Sequence, residues 1–145
     1  MKQITTKNIK DQSVIIPGSK SISHRMMICA SLCNGTSNIE NCLQSDDISL
    51  TINALKQMGA QIDLVKKNHY RVSGFGGKPQ SCDKDIYLGN SGTSMRLLAG
   101  IAAIGNTEYT LTGDQRMCER PMVELLDALT LLGIHAKSEN RSGTP

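Results

Sequence analysis

Pro17-Gly18-Ser19-Lys20-Ser21-Ile22-Ser23-His24-Arg25 is the stretch on which the reading of this 145-residue chain turns. The apolar run Val14-Ile15-Ile16 leads into it as a short strand. Met26-Met27-Ile28-Cys29-Ala30-Ser31-Leu32-Cys33 follows it as helix. A helix N-terminus has free N–H groups and a partial positive charge, so it draws anions. Lys20 and Arg25 add full charges there, and Ser21 shares a face with Arg25, four residues on. The stretch reads as a site for a phosphate or a carboxylate. Taken alone, it suits an ordinary Ser-capped helix start with solvated basic residues equally well. It is not a Walker A loop, because Ser13 stands where the first glycine of that loop would be.

The rest of the composition narrows the function classes. A hydrophobic share of 39% with 20% charged residues is that of a globular protein. One Phe, three Tyr and no Trp imply an aliphatic core. A net charge of +3, with no Lys/Arg run and no interleaved aromatics, argues against nucleic acid and suits small acidic ligands. The cysteines at 29, 33, 42, 82 and 118 are odd in number and form no C-x-x-C pair, so they read as reduced residues. His24, His69 and His135 lack metal-ligand spacing. Neither a signal-peptide core nor a membrane-length apolar run is present, so the cytoplasm is the expected compartment.

Along the chain, Ile4 and Ile9 suggest an edge strand. Ile22, Met26, Cys29 and Cys33 recur at helical spacing and predict a buried stripe, which Asn34-Gly35 ends. Residues 36–40 read as strand. Ser45-Asp46-Asp47 caps a second helix, with Ile48, Ile52 and Leu55 inward and Gly59 as its stop. Residues 60–65 and 69–73 form a hairpin, and 74–84 a loop. A strand at 85–88 runs into Gly89-Asn90-Ser91-Gly92-Thr93-Ser94, which opens a helix over about 94–104, apolar nearly all round and carrying one charge, Arg96. Residues 107–112 read as strand. Gln115-Arg116-Met117-Cys118-Glu119-Arg120-Pro121 is a third basic helix start, with Pro121 at the first helical position. Met122, Leu125, Leu126, Leu129 and Leu132 make its stripe, Gly133 ends it, and 134–137 begins another strand.

The two halves repeat. His24-Arg25-Met26-Met27 matches Met95-Arg96-Leu97-Leu98, and Ala54-Leu55 with Gly59 matches Ala128-Leu129 with Gly133. The chain therefore divides into an N-terminal segment (1–13), a first unit (14–84) and a second, truncated unit (85–145). Basic residues open three of the four expected helices. Aligned at one rim, those ends would form a concave cationic site for a ligand with several negative groups. Arg116 reads as an ion-pair partner of Glu119 or Asp114, and Arg120 as a ligand group.

With these motifs in view, the chain resembles the 3-phosphoshikimate 1-carboxyvinyltransferases, also called 5-enolpyruvylshikimate-3-phosphate synthases. The resemblance rests on residues 17–25, 88–96 and 111–121, joined by Ser45-Asp46-Asp47 and the ending Asp127 to Gly133, and spans about 12–137. It implies an α/β fold of repeated β-α-β-α-β-β units, about two of which are present, with the family's second domain absent as a missing partner. It implies transfer of the enolpyruvyl group of phosphoenolpyruvate to the 5-hydroxyl of shikimate 3-phosphate, releasing phosphate, in aromatic amino-acid biosynthesis. No metal or organic cofactor is implied. Carried over by motif, Lys20, Ser21 and Arg25 hold shikimate 3-phosphate, and Lys20, Gly92 and Arg120 hold phosphoenolpyruvate. Gly92 serves because a backbone N–H must come close. Asn90, Thr93 and Arg96 shape that pocket. Two departures from the usual pattern are Ser91, where many members have Ala, and Leu97, where many have Pro. Proton transfer is assigned to carboxylates outside this stretch. Asp46, Asp47 and Glu119 read as helix-cap and ion-pair groups, so no catalytic residue is expected here and little turnover from these residues alone. The other class considered is a non-catalytic module that grips phosphorylated or carboxylated metabolites.

Overall fold

The computed structural model describes residue 11 and residues 13–138, so the strand expected at Ile4 and Ile9 lies outside the described residues. The elements run α1 (Lys20–Leu32), β1 (Thr36–Ile39), α2 (Asp46–Gln57), β2 (Gln61–Lys66) and β3 (His69–Ser73). Then come β4 (Ile86–Tyr87), α3 (Gly92–Ala102), β5 (Leu111–Thr112), α4 (Gln115–Cys118) and α5 (Val123–Leu131).

In the first half, β1, β3 and β2 form an antiparallel sheet in that order. Val72 of β3 sits between Ser37 and Ile62, and Ile62 and Val72 are buried in the same cluster as Met27, Ile48, Ile52 and Leu55 of the two helices. The expected alternation in β2 fails at its far end: Leu64 and Val65 are exposed beside a bulge between Leu64 and Lys66. Gly59, at φ 103°, stops α2 in a backbone state that other residues seldom adopt. A Cβ on Gly18 would strike the Asn41 carbonyl, and Ser23 Oγ accepts from Leu43 N at 2.9 Å. The turn before α1 is thereby docked on the loop before α2.

Two expectations about α1 need correction. Val14, Ile15 and Ile16 form no strand and are exposed. Ile22 (62% exposed) and Met26 (47%) lie outward with Cys29 and Cys33, while Ser23, His24, Met27, Ile28, Ala30 and Ser31 are buried. Periodicity shows which face is apolar, but specific polar contacts hold the other one: Ser23 bonds the 41–43 loop, His24 bonds α2, and Phe75 N donates to the Ser31 carbonyl at 2.8 Å. Cys42 is the buried cysteine, and burial pushes its thiol up from its ordinary value despite the Ser23 hydroxyl.

The second half is sparser. β4 and β5 pair in parallel over two residues each, and the rest of 107–112 is not strand. Residues 134–137 form no strand either, and they have no sheet neighbour among the described residues. α3 begins at Gly92, two residues before the expected start, and is one-sided: Met95, Leu98 and Ile101 are buried, Ile104 beyond its end is exposed. Pro121 stands before the α5 cap, Met122, rather than at the first helical position. Its carbonyl thus stays outside the helix and accepts from Arg96. Of the α5 stripe, Met122 and Leu129 are buried and Leu132 is 77% exposed.

Candidate functional site

α1, α2 and α3 begin alike. Ser19, Ser45 and Ser91 each accept, through the side-chain oxygen, the backbone N–H three residues on, at 3.4 Å. Such caps use one orphan N–H of each helix and leave others free for a ligand. The three starts are tied to one another. Lys20 Nζ at the head of α1 pairs with the Asp47 carboxylate in the first turn of α2. The Asp47 carbonyl in turn meets Ser94 Oγ of α3 at 3.5 Å.

Arg25 is exposed and folds back along α1, its Nη1 donating to the Ser21 carbonyl at 3.0 Å. No carboxylate pairs with it among the described residues. Ser21 is exposed beside it. Lys20, Ser21 and Arg25 therefore do share one end of α1.

Gly92, Arg96 and Arg120 also meet. A Cβ added at Gly92 would lie 2.6 Å from Arg120 Nη1 and 3.2 Å from Arg96 Nη1. Arg96 donates to the Gly92 carbonyl at 3.3 Å and to the Pro121 carbonyl at 3.2 Å, which braces α3 against the entry to α5. The Gly92 N–H donates to the Asn90 carbonyl at 3.1 Å. In this geometry the missing side chain admits the two guanidinium groups, a different reason for glycine than amide approach. Arg96, Arg116, Glu119, Arg120 and Pro121 line an open cavity of about 450 Å³. Three guanidinium groups against one carboxylate give its lining a net positive charge, which suits an anion. The ion pair expected for Arg116 is not formed: among the described residues it meets neither Glu119 nor Asp114 as a salt bridge. Asp114 Oδ1 instead accepts from Met117 N at 2.8 Å as the α4 cap. Thr93 is exposed, and Asn90 Oδ1 is buried with no hydrogen-bond partner among the described residues.

A family model described as EPSP synthase (3-phosphoshikimate 1-carboxyvinyltransferase) matches residues 5–145. The chain belongs to the EPSP synthase family. A 3-phosphoshikimate 1-carboxyvinyltransferase of Shewanella denitrificans is 42% identical over 149 aligned positions, covering 100% of this chain and 35% of that protein. One from Methanococcus aeolicus is 43% identical, covering 96% and 32%. The solved EPSP synthase of Acinetobacter baumannii superposes with a TM-score of 0.87 at 32% identity, covering 91% of this chain and 30% of that one. The fold is thus that of the EPSP synthases, and the chain spans about a third of the length of the relatives it matches.

Four side chains that were not among the expected ligand residues lie beneath these helix starts. His24, Thr51 and Ser94 are 0% exposed and Ser91 is 2% exposed. The signal was present in part: Thr51 interrupts the apolar face made by Ile48, Ile52 and Leu55. His24 was hidden because the apolar stripe pointed to the opposite face of α1.

Proposed function

We propose that this chain supplies part of the substrate site of a 3-phosphoshikimate 1-carboxyvinyltransferase. The reaction transfers the enolpyruvyl group of phosphoenolpyruvate to the 5-hydroxyl of shikimate 3-phosphate and releases phosphate, in aromatic amino-acid biosynthesis in the cytoplasm. Lys20, Ser21 and Arg25 hold shikimate 3-phosphate. Lys20, Gly92 and Arg120 hold phosphoenolpyruvate, and Asn90, Thr93 and Arg96 shape its pocket. The units 14–84 and 85–145 each supply one helix start to that task.

The observation that carries the reading is the family match along residues 5–145, together with the motif residues standing at helix starts linked through Asp47. Lys20 has a carboxylate partner already, so an anion must share or displace it. Protonation at C3 of phosphoenolpyruvate and attack at C2 need a positioned acid and base. Asp46 is an exposed helix-start residue, Asp47 is engaged by Lys20, and Glu119 is exposed at the cavity rim. None is assigned to proton transfer.

Calorimetric titration of the chain with shikimate 3-phosphate tests this. Saturable binding that weakens about tenfold or more in Arg25→Ala supports it, as loss of a charged hydrogen bond requires. Equal binding by Arg25→Ala, or rapid phosphate release by the chain alone with both substrates present, contradicts it.

A further inference from the structure

Where the first two turns of α1, α2 and α3 converge, the apolar core gives way to a continuous polar chain. His24 Nδ1 and Thr51 Oγ1 are 2.8 Å apart, Thr51 Oγ1 and Ser94 Oγ 2.8 Å, and Ser94 Oγ and Ser91 Oγ 2.6 Å. Each residue belongs to a different helix or cap: His24 to α1, Thr51 to α2, Ser94 to α3 and Ser91 to the α3 cap. The Asp47 carbonyl closes the arrangement, accepting from Thr51 Oγ1 at 3.2 Å, with Ser94 Oγ at 3.5 Å. The carboxylate of that same Asp47 holds Lys20.

The proton count selects one arrangement. With its proton on Nδ1, His24 donates to Thr51 Oγ1, and the three hydroxyls find acceptors among one another and the Asp47 carbonyl. His24 Nε2, buried and without a partner, is then a bare acceptor rather than a stranded donor. The opposite tautomer would bury an N–H with nothing to receive it, the more costly choice. Buried polar chains of this kind specify a single packing, because any slippage leaves several groups unsatisfied at once.

We propose that His24, Thr51, Ser94 and Ser91 are positioning residues, a buried rod that fixes the first turn of α3 against the second turns of α1 and α2. On the substrate-site reading above, the rod sets the spacing between Lys20 and Arg25 on one side and Gly92 with its two arginines on the other. Ser91 acquires a specific role in this chain. Its hydroxyl both caps α3 and ends the rod, which an alanine could not do.

The test uses the ¹⁵N-labelled chain and Thr51→Val, which keeps the side-chain shape and removes the hydroxyl. The amide signals of Gly92 and Lys20 are expected to move together while the fold persists, and affinity for phosphoenolpyruvate to fall about tenfold, the order of one hydrogen bond. His24→Asn, whose amide can stand in for Nδ1, retains most of the wild-type behaviour, whereas His24→Leu resembles Thr51→Val. Imidazole ¹⁵N shifts are expected to place the proton on Nδ1, and a proton on Nε2 contradicts the proposal. Unmoved Gly92 and Lys20 amides in Thr51→Val, or equal behaviour of Asn and Leu at position 24, overturn the proposal. Ser94→Ala serves the same comparison where Thr51→Val does not fold. If the wild type binds no phosphoenolpyruvate, the substrate-site reading fails, and the amide shifts still decide the rod.

Discussion

At the start of α1, Ser19, Lys20 and Ser21 face solvent; at the start of α3, Ser91, Gly92 and Ser94 are buried. Both starts follow a Gly/Ser turn, both are capped by serine at the same 3.4 Å, and both carry an arginine within the first two turns. Yet among the described residues Arg25 bonds only its own helix, at the Ser21 carbonyl, whereas Arg96 reaches across to Pro121. The same local motif thus makes an open, solvent-facing edge at one helix start and a braced floor at the other. Local sequence builds the cap, and long-range packing decides what the cap is for.

The comparison breaks most sharply at Gly92. Gly92→Ala places a methyl group where Arg120 Nη1 now lies, 2.6 Å from the added carbon. Affinity for phosphoenolpyruvate should fall about 10- to 100-fold, the worth of a displaced charged contact. Binding isotherms check this, and an unchanged isotherm would mean that Arg120 is not needed at that position. Ser21→Ala, on the open edge, should leave phosphoenolpyruvate affinity nearly unaltered.

The caps come next. Ser19→Ala should cost about 0.5–1 kcal/mol, as an exposed cap does. Ser91→Ala should cost about 2 kcal/mol, because it removes a cap and a buried partner of Ser94 together. Urea denaturation of the two variants measures both, and equal losses would show that burial of the second cap adds nothing.

The smallest effect is that of pH. Burial first, then Lys20 and Arg25, hold the His24 pKa below its ordinary 6.5, with Asp47 opposing. The unfolded chain therefore takes up a proton before the folded one does. Stability from this group is complete above about pH 6.5 and declines as pH falls from there toward the lower folded value. Denaturation midpoints between pH 7.5 and 5 should drop in the wild type and drop less in His24→Asn. Equal slopes would remove His24 as the cause.

Much of the fold was legible, and the reasons are local. Serine caps, Gly35 and Gly59 as stops, and the β2–β3 hairpin all depend on residues within a few positions of one another. What misled was exposure. Ile22 and Met26 have the right spacing for a core, but whether a face is covered depends on residues far away in sequence. The short pairing of β4 with β5 likewise hangs on contacts 25 residues apart, Ile86 with Leu111, which no local pattern reports. In the site, Lys20, Arg25 and Arg120 were visible as charges at helix starts. The rod was not, since His24, Thr51 and Ser94 are single polar residues on three separate helices that only tertiary packing brings together.

One titration tests the central claim, that the starts of α1 and α3 act as one anion site. The ¹⁵N-labelled chain is titrated with phosphoenolpyruvate while the amides of Lys20, Ser21, Gly92 and Thr93 are followed. The predicted result is that both pairs shift along curves with a single dissociation constant. Movement at one helix start alone, or two unrelated constants, would contradict it.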